Sequence, residues 1–169
     1  MEKEYDKDRE ESIALSKKFA ELEGRRPRIY VPEMDDDGCG EKRRLAASAF
    51  ADCGWDVDVD SLQSPEESAR NAVDNDDYYI YYYSESVKKT GLLIRLEQAL
   101  AMYGRDDILV AAGPVEKEEE KEQLFRYGLT ALFPNDYSAY RASLTMLRLL
   151  ITRSLDEESD LWPLQKGNL

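Results

Sequence analysis

The stretch best equipped for chemistry in this 169-residue chain is an acidic run ending on a glycine-flanked cysteine, Asp35-Asp36-Asp37-Gly38-Cys39-Gly40. Consecutive carboxylates behind a short apolar segment suit a hard divalent cation or a phosphoryl-accepting aspartate. Cys39 could offer a thiolate, because a helix N-terminus lowers a thiol pKa, but the three preceding aspartates push it the other way. The bland alternative is a solvated acidic loop with a small residue at its tip. The only other cysteine, Cys53, sits on an Ala-rich apolar stretch and reads as core. The chain contains no histidine. That removes Ser-His-Asp and Cys-His catalysis and imidazole metal ligation together. Two cysteines are also too few for a four-thiolate zinc site and make no disulfide framework.

The elements that must position this loop alternate in type. Arg28–Met34, Asp56–Leu62, Asp77–Ser84, Asp107–Ala112 and Thr130–Phe133 read as strands. Between them Glu41–Cys53, the helix opening at Ser64-Pro65-Glu66-Glu67 and running to Asn75, Leu92–Tyr103 and Glu116–Tyr127 read as helices, with Tyr137–Leu155 closing the series. Ser64 is a cap, Pro65 fits the first turn and Glu67 completes a capping box. Crossovers of this length join parallel strands, so the pattern predicts a flavodoxin-like, doubly wound, five-stranded parallel α/β sheet. Ligands of such sheets sit beyond the carboxyl ends of the strands.

Residues 1–26 are predicted as a helical arm, with Ile13, Leu15, Phe19 and Leu22 near one face, packing either on a neighbouring chain or on its own domain. Residues 27–155 form the α/β domain, and 156–169 a tail in which Trp162 is a candidate partner anchor. The third strand is unusual, with five tyrosines in the six positions from Tyr78 to Tyr83. Central parallel strands are normally aliphatic on both faces. The Glu116–Glu122 charge run reads as a wet helix face.

Charge and hydropathy narrow the partners. Lys and Arg number 23 against 36 Asp and Glu, a net charge of −13. Duplex nucleic acid and anionic membranes require a basic face. Apolar runs fall far short of the roughly 20 residues of a membrane span, and no apolar segment opens the chain. A cytoplasmic protein is the expectation.

The stretch from Gly24 to about Asp76, notably ADCGWDVDV and SPEESARNAV, resembles the cobalamin-binding domain of the methylmalonyl-CoA mutase family. The resemblance extends over roughly residues 24–155 and implies the same fold. In that family the first loop reads Asp-x-His-x-x-Gly; its histidine is the lower axial ligand of the corrinoid cobalt and its aspartate orients that histidine. In register this chain has Asp37-Gly38-Cys39-Gly40-Glu41-Lys42, with the aspartate kept and the ligand position occupied by Cys39. The family's Ser-x-Leu falls at Tyr83-Ser84-Glu85, its Gly-Gly at Ala112-Gly113 and its Thr-Pro-Gly at Phe133-Pro134-Asn135.

The resemblance therefore marks Asp37, Gly38, Cys39, Tyr83, Ser84, Gly113 and Pro134 as vestigial or altered cofactor-site positions, with no catalytic residue and no metal ligand, Cys39 being the weak exception. Tyr81 to Tyr83, Glu85 and Lys42 are expected to fill the channel that takes the cofactor's nucleotide tail between sheet and helix. It implies a degenerate, non-catalytic domain without cofactor, acting as a structural or partner-binding component with an acyl-CoA mutase-type subunit, and leaves self-association open. The alternative is a genuine cobalamin-binding subunit of a radical acyl-CoA mutase lacking a histidine ligand. A receiver-like signalling domain is a further alternative, resting on Asp35 to Asp37. It wants an aspartate after the third strand and a lysine after the fifth, where Ser84-Glu85 and Asn135-Asp136 stand.

Overall fold

The structure is a computed structural model that describes residues 2–158. Trp162 and the tail from Ser159 to Leu169 lie outside the described residues. Five parallel strands, β1 (Arg28–Val31), β2 (Asp56–Val59), β3 (Tyr79–Tyr83), β4 (Leu109–Gly113) and β5 (Ala131–Leu132), form one sheet in the order β2-β1-β3-β4-β5. The helices are α1 (Glu2–Glu23), α2 (Gly40–Asp52), α3 (Pro65–Asn75), α4 (Lys89–Met102), α5 (Glu118–Tyr127) and α6 (Ala139–Glu158). This is the flavodoxin-like arrangement that the alternation predicts. No helix among the described residues is long and apolar enough to cross a membrane.

Strand alternation divides the core into two layers. Ile29, Val31, Tyr79, Tyr81 and Ala111 face α2 and α6, and meet Phe50, Met146, Leu147 and Leu150. Tyr30, Ile80, Tyr82 and Val110 face the other side, against α3, α4 and α5. The consecutive tyrosines of β3 are thus shared between layers. Tyr82 does not lie with Tyr81 and Tyr83, contrary to the expectation that all three fill one channel, because neighbouring strand residues point to opposite faces.

The remaining differences are at element ends. β1 stops at Val31 rather than Met34 because Pro32 has no N–H for the ladder. β5 is assigned only Ala131–Leu132, yet Thr130 N donates to Val110 O at 2.8 Å and Phe133 N to Ala112 O at 2.9 Å, so pairing covers the expected span. α4 begins at Lys89, not Leu92, with Ser86 accepting from Lys89 N at 3.2 Å in the turn before it. The capping box of α3 forms as read: Glu67 N donates to Ser64 Oγ at 3.1 Å.

α1 lies parallel to α6 of its own chain. Tyr5 meets Tyr140 with ring centroids 5.9 Å apart, Asp8 pairs with Arg141 at 3.3 Å, and Glu11 with Arg148 at 3.4 Å. Its inner stripe is less apolar than the pattern predicts. Ser12 and Ser16 are buried while Ile13 and Leu15 are half-buried, and Ser16 Oγ donates to Cys53 O at 2.8 Å. Small side chains let the helix approach closely: a Cβ on Gly54, whose φ is +100°, would sit 2.8 Å from Ser16 Cβ. Phe19, 1% exposed, anchors the helix edge-on against Tyr78 at 4.9 Å.

Because Phe19 belongs to the main core, Phe19→Ala is expected to cost about 3 kcal/mol. Urea unfolding should show one transition at a lower midpoint. A separate early transition for α1, with the main midpoint unmoved, would contradict this packing.

Candidate functional site

The loops leaving β1, β3, β4 and β5 meet at the carboxyl edge of the sheet, where the strand order reverses between β1 and β3. Their centre is a buried ion pair. Arg43 lies on the inner stripe of α2 with Ala46 and Phe50, a core position that a guanidinium can occupy only with a counter-charge. Asp37 supplies it: Arg43 Nη2 lies 2.9 Å from Asp37 Oδ1 and Arg43 Nη1 3.1 Å from Oδ2. The side chains are 3% and 5% exposed.

Two further donors complete the carboxylate. Cys39 N donates to Oδ1 at 3.0 Å and the buried Ser84 hydroxyl donates to Oδ2. Burial alone would raise the Asp37 pKa, but these hydrogen bonds from Arg43, Ser84 and the Cys39 amide overcome it and hold the group at about 2. Arg43 also donates to Tyr83 O at 2.9 Å, so one side chain ties α2, the first loop and the end of β3 together.

Cys39 is 3% exposed, its sulfur 3.6 Å from Glu85 Oε2. Burial first, then the charges of Asp37 and Glu85, push its thiol upward, so it is a protonated thiol at neutral pH. Glu85 is engaged from outside by Lys42 at 2.9 Å. The acidic run does not converge: Asp35 accepts from Ser86 Oγ at 2.7 Å, Asp36 is exposed, and Asp37 is taken by Arg43. Among the described residues no group of three or more acidic or cysteine side chains is placed to hold a metal ion.

The face between the sheet and α2/α6 is aromatic. Tyr81 packs edge-on to Phe50 at 5.1 Å and against Phe133 at 6.2 Å, and Phe133 stacks on Tyr137 at 4.8 Å. Gly113 remains small for a visible reason, since a Cβ there would lie 3.2 Å from Phe133 O. Two openings border this face among the described residues: a cavity of about 180 Å³ by Lys42, Tyr83, Gly113 and Pro134, and a cleft of about 390 Å³ between α2 and α6 over Tyr81 and Tyr83. Thus the structure brings Asp37, Cys39 and Ser84 into one bonded cluster, leaves Gly38 as its positive-φ turn, and puts Tyr83, Gly113 and Pro134 around the neighbouring cavity.

Two residues of this cluster escaped the sequence reading. The signal that could have found Arg43 is a charge on the helical stripe it shares with Ala46 and Phe50. Lys89, 7% exposed with its Nζ donating to Pro114 O, had no signal in a loop containing two lysines.

Known proteins are similar to this sequence. A methylmalonyl-CoA mutase large subunit, so named as probable, from Mycobacterium tuberculosis is 42% identical over 140 residues, and that of Porphyromonas gingivalis is 39% identical over 147 residues. These matches cover 82% and 86% of this chain. The chain belongs to the methylmalonyl-CoA mutase family. It spans about a fifth of the length of those relatives (19% and 21%). The bovine mitochondrial methylmalonyl-CoA mutase is 37% identical over 133 residues. No family model matches. Among solved structures, a cobalamin-binding protein from Desulfitobacterium hafniense superimposes with TM-score 0.62 at 14% identity, covering 79% of this chain and 65% of that one. The chemotaxis protein CheY4 of Vibrio cholerae does so with TM-score 0.56 at 11% identity, covering 72% and 97%. Both show the fold of this mutase-family chain.

The Asp37–Arg43 pair makes a direct prediction. Asp37→Asn removes the bidentate partner of a buried guanidinium, leaving it only the half-buried Glu33 as a counter-charge at 3.3 Å, and should cost about 3 kcal/mol at pH 7. A depressed carboxylate pKa adds stability above the unfolded value near 4, and this is lost as pH falls toward about 2. Between pH 5 and 2 the parent should therefore lose more stability than Asp37→Asn, as measured by urea midpoints. Parallel curves would contradict the pairing.

Proposed function

We propose that this mutase-family domain holds no corrinoid and performs no reaction by itself, and that it serves as a structural component docking on a mutase-type subunit. The observation that carries this reading is the saturated Asp37 carboxylate. A histidine-type lower ligand at position 39 would need that aspartate to receive its ring N–H. Here Arg43 and the Cys39 amide occupy Oδ1, while Arg43 and Ser84 occupy Oδ2.

The donor set points the same way. Position 39 offers a buried thiol beside two carboxylates, which is kept protonated and so is a poor metal ligand. Tyr81, Phe133 and Tyr137 occupy the layer next to α2 and α6 where a nucleotide tail entering beside position 39 would run. The residues present do not fit a corrinoid held in the family's manner, so no chemical step is derived through one.

Docking is supported by exposed apolar residues on elements that follow the strands. Val87 is 99% exposed beside Glu85, and Leu45 and Leu62 are 64% and 53% exposed. Single exposed apolar residues are ordinary; Val87, on the loop that also carries Glu85, is the one that adjoins the site and suits a partner contact. A mutase-type subunit is the partner favoured, since the relatives from Mycobacterium and Porphyromonas are named as large subunits.

The competing reading, a corrinoid site without histidine, draws on the retained Asp37-Gly38 and Gly113. Titration with hydroxocobalamin and adenosylcobalamin, followed by absorbance and gel filtration, separates the two. The expected result is no spectral shift and no corrinoid in the protein peak at high micromolar cofactor. Co-elution with a shifted spectrum would overturn the proposal, and loss of that shift in Cys39→Ser would assign the sulfur to cobalt.

A further inference from the structure

The opposite edge of the sheet holds an acid that the strand-end site does not use. Asp77 is 1% exposed, its side chain is fully enclosed, and neither carboxyl oxygen accepts from an N–H or hydroxyl donor among the described residues. Arg28, its cationic neighbour on β1, is already committed: its Nε and Nη2 lie 2.7 and 2.9 Å from the two oxygens of Asp58 on β2. Arg28 Nε reaches Asp77 Oδ1 only at 3.8 Å. Two carboxyl groups therefore share one guanidinium across β2, β1 and the segment leading into β3.

The surrounding charges do not supply a second cation. On the segment before β3, Asp76 binds Arg105 at 2.7 Å and Arg25 at 3.4 Å. Arg105 also holds Asp107, and Arg25 caps the Tyr78 ring at 4.4 Å. On β2, Asp56 pairs with Arg26 at 3.3 Å. An ionised Asp77 would be a buried charge beside an already neutral Arg28–Asp58 pair, which is the costly case.

We propose that Asp77 keeps its proton at neutral pH and shares it with Asp58, so that Arg28, Asp58 and Asp77 form a proton-bridged clamp joining the edge strand β2 to β3. The clamp is a pH-sensitive device: raising the pH withdraws the proton and leaves two negative charges on one guanidinium. Burial, reinforced by Asp58 against the pull of Arg28 and Arg25, moves the Asp77 pKa in this direction, to about 9.

The sign follows from linkage. The folded form retains a proton that the unfolded chain releases near pH 4, so rising pH destabilises the fold through this group. One extra bound proton changes the folding equilibrium by up to tenfold per pH unit. Asn at position 77 presents a neutral amide that can donate to Asp58 without a proton from solvent.

The test compares Asp77→Asn with the parent full chain by urea unfolding from pH 5 to 8, together with a carbon-13 titration of the Asp77 carboxyl in the parent. The expected result is an advantage for Asp77→Asn that grows with pH by up to tenfold per unit, and no ionisation of Asp77 below pH 7. A pH-independent difference, or an Asp77 carboxyl titrating near 4, would overturn the clamp. If Asp77→Asn does not fold, the carboxyl titration alone decides.

Discussion

A carboxylate that is almost wholly buried must find its hydrogen bonds inside the protein, and Asp37 finds them from a helix, a loop amide and a strand-end serine at once. The carboxyl edge of the sheet is arranged around this requirement. Because Arg43 also holds the Tyr83 carbonyl, the first loop, α2 and the end of β3 cannot move independently. Lys89 extends the tie to the loop after β4 through Pro114 O. In a fold whose ligands enter at this edge, a loop pinned in this way has exchanged an adaptable surface for a fixed one.

The aromatic layer follows from the same exchange. Open space between sheet and helices costs the contacts that would line it, so a chain without a ligand there gains by filling it. Tyr81, Phe133 and Tyr137 occupy much of it with offset and edge contacts, leaving a small cavity by Gly113 and Pro134 and a shallow cleft of about 390 Å³ between α2 and α6 over Tyr81 and Tyr83. In the proposed reading, the ring packing and the ion pair are separate obstacles to a corrinoid. Removing one leaves the other in place.

Much of this was legible in the sequence. Alternation and capping signals placed all five strands and the helices between them, because each crossover carries its own stop signals, as at Gly54 and Gly128. Resemblance placed Asp37, Cys39 and Ser84 near one another. The pairing partner was less visible, since Arg43 stands next to exposed Arg44 and only the helical stripe of Arg43, Ala46 and Phe50 distinguishes them. The sharing of β3 tyrosines between layers was decided by register, which composition does not carry. The α1 contact depended on Ser12 and Ser16, polar residues that a search for an apolar face passes over.

The state of Cys39 in the native protein tests the closed loop most directly. Its labelling by a small thiol reagent at pH 7, followed peptide by peptide so that Cys53 is counted separately, reports whether the Asp37–Arg43 pin keeps the ligand position shut. A pinned loop with a buried, protonated thiol should label at least about a thousandfold more slowly than the urea-unfolded chain, and Asp37→Asn should recover a large part of that rate. Labelling of native Cys39 at the rate of an unfolded thiol would mean that the loop is open to solvent and that the account of a closed, ligand-free site is wrong.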